Sequence, residues 1–155
     1  MSPVQVSNRA SIGQTTGLKV DRLFTRVGVD PLDTVTLESR RSVIANPDGS
    51  VVFEMDDVKV PSTWSQLATD IMVSKYFRKA GVPKTEHEIS APQVVTRIAK
   101  AIRGAGVRHG GYFATAADAE TFEAELTHML INQVGAFNSP VWFNCGLAEA
   151  YGIKG

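Results

Sequence analysis

Cysteine is nearly absent: Cys145 is the single thiol in 155 residues, which excludes an internal disulfide and every metal motif built from paired cysteines. That usage suits a reducing cytoplasm. Histidine is almost as sparse, and His87, His109 and His128 are too scattered to give a metal-ligand spacing. An excess of one charge is missing as well. Sixteen basic side chains balance sixteen acidic ones, so net charge supplies no general attraction for nucleic acid or an anionic membrane. No apolar run approaches the roughly 18 residues of a bilayer span, and the N-terminus lacks a charged region followed by an apolar signal core. Internal repeats and low-complexity tracts are lacking too.

What is present is enough apolar material, 43% of the chain, for one cored domain and too little length for two ordinary ones. Residues 1–19 are polar, without apolar periodicity, and read as a disordered leader. A turn at Asp30-Pro31-Leu32-Asp33 precedes a strand-like run from Thr34 to Leu37. The clearest β signal follows: the runs Ser42–Ala45 and Val51–Met55 flank Asn46-Pro47-Asp48-Gly49, where proline presets one dihedral and glycine accepts a positive φ. These predict a hairpin. Asp56 and Asp57 then fall in a solvated turn, with no partner that would tune one of them as an acid.

Three helices are expected next. The first has Thr63 and Gln66 as a capping box, a stripe of Trp64, Leu67, Ala68, Ile71, Met72 and Tyr76, and a stop at Gly81 and Pro83. Trp64 and Tyr76 resemble a base-stacking platform, yet aromatics on such a stripe are ordinarily core. The second is capped by Ser90 and Gln93, admits Pro92 in its first turn, buries Val94, Val95, Ile98, Ala99 and Ile102, and ends at Gly104 and Gly106. The glycine-rich stretch 104–111 holds Arg108 and His109, but it leaves a helix C-terminus, whereas phosphate loops run from a strand into a helix N-terminus. It reads as a linker. The third starts at Thr115 with Asp118 and carries Ala119, Phe122, Leu126, Met129 and Leu130 along one side. Glu120, Glu123 and Glu125 suit its dipole, and His128 packs beside the stripe.

The densest stretch is residues 136–147, where Phe137, Trp142 and Phe143 alternate with Asn138, Ser139 and Asn144 around Pro140 and Gly146. Buried aromatics beside short polar groups make either a tightly built strand start or a place where hydroxyls and amides meet a ligand. Pro140 favours an extended Ser139 at the entrance of a short strand, Val141–Asn144. That strand, without sheet neighbours, would leave the apolar face around Trp142 partly exposed. Cys145 has no histidine near it in sequence to activate it and reads as structural. These residues alone build no complete active site.

Three stretches carry a resemblance: Val60 to Phe77, Gly111-Tyr-Phe-Ala-Thr-Ala-Ala-Asp-Ala119, and Leu126 to Leu147 with its Asn138-Ser-Pro-Val-Trp-Phe-Asn-Cys-Gly146 core. With the tail Tyr151-Gly-Ile-Lys-Gly155, they resemble the N-terminal region of class II, adenosylcobalamin-dependent ribonucleotide reductases acting on ribonucleoside diphosphates. The resemblance implies an α+β, mainly helical region: a β-hairpin and three helices (20–135) leading into the first strand of a ten-stranded α/β barrel, which begins at 136–155 and is not included. It also implies that Ser139 binds substrate, with Phe143 and Asn144 setting its loop. The family's catalytic cysteines match nothing here, Cys145 included, and cobalamin contacts cannot be assigned. The expectation is a fragment or truncated product, inactive alone. Its partners are a ribonucleoside diphosphate, the remainder of a reductase chain and, at full length, a second copy. The competing expectation is a noncatalytic docking module with the same fold.

Overall fold

The computed structural model describes residues 17–154, so most of the polar leader lies outside the described residues. Strands β1 (Leu37–Ala45) and β2 (Val51–Pro61) form an antiparallel hairpin. They are followed by α1 (Gln66–Ile71), α2 (Ala91–His109), α3 (Ala116–Ile131), α4 (Ser139–Asn144) and α5 (Leu147–Tyr151). This is a small α+β domain.

The hairpin turns where its residues predict, with Gly49 at φ 85° and its amide bonded to the Asn46 carbonyl at 2.9 Å. Both strands run further than the apolar runs suggest. Asp56 and Asp57 are in β2, not in a turn: the register slips between Arg40 and Ser42, and Asp57 takes φ 56° in the resulting bulge. The slip resets the alternation, so that Met55, Val58 and Val60 all reach the core. Thr34 is also not in a strand. Asp30 caps a tight helical turn, Pro31–Thr34, by accepting from the Leu32 amide at 2.9 Å. Arg40 fastens the hairpin to α1, donating to the Trp64 carbonyl at 2.5 Å and the Thr69 hydroxyl at 3.1 Å.

Helix α1 is capped by Ser65, not Thr63, with the Ala68 amide bonded to its hydroxyl at 3.0 Å. After Ile71 the chain widens into a π-type turn, Met72–Tyr76, ending at Phe77, well before Gly81. The wider turn shifts the phase of the stripe. Leu67 is 69% exposed, while Val73 and Phe77 are buried beside Met72 and Trp64. In α2 the Ser90–Gln93 box forms, and Val94, Val95, Ile98 and Ala99 are buried. The helix does not stop at Gly104 or Gly106; it runs to His109. Glycine weakens a helix interior, but a Cβ at Gly106 would lie 2.6 Å from the Phe113 ring, so that position admits only glycine without movement of the ring.

Thr115 caps α3 through the Asp118 amide at 3.1 Å. One face of α3 holds the arm that precedes the hairpin. Leu18, placed at sequence level in the leader, pairs with Phe113, and its amide bonds to the Tyr112 carbonyl at 2.7 Å. Asp118 accepts from the Val20 amide at 2.9 Å. Glu125 accepts from the amides of Leu23 (3.1 Å), Phe24 (3.0 Å) and Thr25 (3.0 Å) and from the Thr25 hydroxyl (2.5 Å). His128 stacks on Phe24 with centroids 4.9 Å apart. Glu125 thus does more than complement a dipole.

Burial alone would raise the Glu125 carboxyl, but the Thr25 hydroxyl and the three amides outweigh it and hold the group below its ordinary value. A carboxylate depressed in the fold stabilises above its unfolded value and loses that contribution as pH falls through the folded one. Asp118, depressed first by the Thr115 hydroxyl and then by the Val20 amide, acts in the same direction. Acidification from about pH 6 to about pH 3 is therefore expected to release residues 18–25 before the core unfolds. Amide exchange at Leu23, Phe24 and Thr25 reports it, and Glu125→Gln should release the arm already at neutral pH.

Candidate functional site

Residues 136–147 do not form a strand. Asn138, extended at φ −71° and ψ 163°, opens α4, in which Pro140 sits in the first turn. There its missing amide costs nothing, because first-turn amides have no partner within the helix. The Val141 amide bonds to the Asn138 carbonyl at 3.1 Å and the Cys145 amide to the Val141 carbonyl at 3.0 Å. A helical turn sends Trp142 inward and leaves Phe143 and Asn144 outside. A strand would have put Val141 and Phe143 on one face and Trp142 and Asn144 on the other. Trp142 is 5% exposed, with its indole nitrogen donating to the Phe137 carbonyl at 2.8 Å, so the expected exposure of that face is overturned.

Ser139, the first residue of α4, is exposed, and its hydroxyl lies 3.0 Å from the Tyr76 hydroxyl. Tyr76 ends the π-type turn, and its ring stacks on Trp142 with centroids 6.0 Å apart. Beside the pair opens a cleft of about 280 Å³ lined by Trp64, Met72, Tyr76, Leu130, Phe137 and Trp142. Trp64 belongs to the core, as its stripe suggests, and its indole nitrogen donates to the Ile131 carbonyl at 2.8 Å. Tyr76 packs half-buried against that core and turns its hydroxyl to Ser139. Phe143 is 40% exposed and Asn144 is exposed.

The position of α4 is fixed from behind by a buried ion pair that sequence reasoning missed. Arg97 of α2 donates from Nε to Glu88 Oε1 at 2.7 Å, with both side chains shut off from solvent. Its other nitrogens reach the Cys145 carbonyl at 2.6 Å, the Trp142 carbonyl at 2.5 Å and the Tyr76 carbonyl at 3.4 Å. Glu88 also accepts from the Tyr151 hydroxyl at 2.7 Å and the Arg78 amide at 2.8 Å. Burial, reinforced by that bond to Glu88, pushes the Tyr151 phenol well above its ordinary value. One guanidinium therefore ties the C-terminal end of α4 and the backbone of Tyr76 to one point. The sequence carried a signal for this: Arg97 falls three residues after Val94, on the apolar face of α2, where a charge requires a partner.

Cys145 is half-buried, and burial is the main cause that pushes its thiol up, with Glu149 adding to it and Arg97 opposing. A raised thiol is a poor nucleophile at neutral pH. Among the described residues no group of three metal-ligating side chains converges, and no helix is long and apolar enough to cross a membrane. A second cleft, about 630 Å³, lies between α2 and α5 and is lined by Lys100, Arg108, Glu149 and Tyr151 among others.

Residues 38–133 match the family model for class II vitamin B12-dependent ribonucleotide reductases. The chain is 48% identical over 135 residues to the vitamin B12-dependent ribonucleotide reductase of Streptomyces coelicolor, covering 86% of this chain and 14% of that protein. It is 45% identical over 149 residues to the one of Streptomyces clavuligerus, covering 95% and 15%. With the one of Rhodopirellula baltica the identity is 42% over 146 residues, covering 92% and 14%. The chain therefore spans about one seventh of the length of these curated relatives.

Proposed function

Because the chain belongs to the class II, vitamin B12-dependent ribonucleotide reductases, we propose that it acts as the N-terminal portion of a cytoplasmic, adenosylcobalamin-dependent ribonucleoside-diphosphate reductase. In that enzyme it supplies the scaffold beside a ten-stranded α/β barrel and, through Ser139, part of the substrate site. The observation that carries the site is the placement of Ser139: its hydroxyl is exposed at the start of α4, beside an aromatic cleft, on a helix fastened from behind by Arg97. A serine hydroxyl has one proton to give and two lone pairs, which suits a ribose hydroxyl or a phosphate oxygen.

For cobalamin, the cofactor named for these relatives, the most spacious cleft described, about 630 Å³, is rimmed by the charged side chains of Lys100, Arg108 and Glu149 and has no histidine in its lining. His87 lies with Nδ1 3.1 Å from the Glu88 carbonyl and His128 stacks on Phe24, at separate places on the domain and away from that cleft. These residues do not fit the group, so no cofactor contact and no step of the reaction is assigned to them. Because the family's catalytic cysteines match nothing in this chain, the 155 residues alone are expected to give no turnover. Deoxynucleotide formed by the isolated chain with adenosylcobalamin, a dithiol and a ribonucleoside diphosphate would contradict this.

The substrate role is tested by Ser139→Ala in a full-length reductase carrying this region. A hydrogen bond to a charged oxygen is worth about 1.5–3 kcal/mol, so KM for the diphosphate should rise about tenfold to a hundredfold. An unchanged KM removes Ser139 from the site.

A further inference from the structure

We infer that Tyr76 is a positioning residue for Ser139: its phenol donates to the serine oxygen and so leaves the serine proton free for an acceptor oxygen on the bound nucleotide. This rests on the substrate-site reading above and assigns a second residue to it. The two hydroxyls are 3.0 Å apart across 63 residues of sequence. In such a pair the phenol is the stronger donor, which makes the serine oxygen the acceptor and directs its own hydrogen elsewhere. Left alone, an exposed serine hydroxyl rotates among three staggered positions. The bond from Tyr76 restricts that rotor before substrate arrives, which is preorganisation in the sense that lowers the cost of binding.

Tyr76 is itself held in three ways. Its ring lies against Trp142, its backbone carbonyl accepts from the Arg97 guanidinium at 3.4 Å, and its helix widens into a π-type turn over Met72–Tyr76. Such turns are frequent at functional sites. The same guanidinium holds the Trp142 carbonyl at the other end of α4 from Ser139. Both partners of the hydroxyl pair are therefore referred to one buried charge, and their separation does not depend on a mobile loop. Tyr76 places its hydroxyl against the exposed candidate residue at the edge of a cleft.

The test is a double-mutant cycle with Tyr76→Phe and Ser139→Ala in the full-length reductase, reading KM and kcat for a ribonucleoside diphosphate separately. The phenylalanine keeps the ring and its stacking on Trp142 and removes only the hydroxyl. Loss of one neutral hydrogen bond corresponds to about threefold to tenfold, so Tyr76→Phe should raise KM by that factor with kcat unchanged. In the Ser139→Ala background the same change should have less than about a twofold effect, because its target is gone. If Ser139→Ala raises KM while Tyr76→Phe does not, or if Tyr76→Phe has its full effect without the serine hydroxyl, the positioning role is overturned and the substrate site stands. If Ser139→Ala leaves KM unchanged, the substrate-site reading falls and this inference with it.

Discussion

Arg97→Met is expected to lower the unfolding free energy of the chain by about 3–5 kcal/mol, the usual cost of removing one partner of a buried ion pair. Glu88 would remain buried, with the Tyr151 hydroxyl and the Arg78 amide but no cation, and the carbonyls of Trp142 and Cys145 would each lose a short bond. Against a typical domain stability of about 5–15 kcal/mol, that loss is a large fraction. Methionine matches much of the arginine stem, so the effect reports the charge and its hydrogen bonds more than lost volume. Pairing it with Glu88→Leu removes the stranded carboxylate and should recover part of the loss. Urea unfolding followed by the fluorescence of Trp64 and Trp142 compares both variants with the wild type. Equal midpoints for wild type and Arg97→Met would mean that α4 is held by something else.

Gly146→Ala should be comparably damaging, about 2–5 kcal/mol, from two sources that a control separates. Gly146 has φ 81°, where a Cβ costs about 1–2 kcal/mol. The new methyl would also come within 2.7 Å of the Arg97 carbonyl carbon, in a helical backbone that cannot yield, and overpacking of that kind costs about 1–3 kcal/mol more. Gly152 has a similar φ of 71° with nothing within 4 Å of its Cβ position. Gly152→Ala should therefore show the conformational cost alone. A Gly146 variant no worse than the Gly152 variant would mean that α5 does not pack on α2 as closely as the structure places it. The expected defect is local first: α4 and α5 lose their seat and the fluorescence of Trp142 shifts to the red while Trp64 stays buried.

The elements that could be read from sequence are those whose cause is local. Ser90 with Gln93, and Thr115 with Asp118, announce helix starts because both partners lie within one turn, and Pro47 with Gly49 announces the hairpin for the same reason. The misread elements are settled by contacts distant in sequence. Pro140 has two legitimate settings, beside an extended residue or within a first helical turn, and the choice is made by the burial of Trp142 against α2 and the π-type turn. The bulge at Asp57 and the wide turn at Met72–Tyr76 each insert a phase shift that a fixed period of two or 3.6 residues cannot register. Gly106 looked like a stop because the approach of the Phe113 ring, seven residues later, is invisible in one dimension.

The candidate site divides the same way. Ser139 stands out in the sequence because a hydroxyl lies between an asparagine and a proline amid aromatics, and the structure leaves that hydroxyl exposed beside Tyr76. Tyr76 is visible in the sequence only as a member of an apolar stripe, and nothing local indicates that its hydroxyl meets Ser139, 63 residues away. Arg97 was legible in principle, as a charge on the buried face of α2, but its partner Glu88 precedes the helix and its three backbone acceptors come from residues 76, 142 and 145.

The most direct measurement is a crystal structure of a full-length reductase carrying this region, with a ribonucleoside diphosphate bound. The account predicts the Ser139 Oγ within about 3 Å of a substrate oxygen, with the Tyr76 hydroxyl still bonded to it on the opposite side. A nucleotide bound elsewhere, with the Ser139 hydroxyl facing solvent or another protein segment, would contradict it.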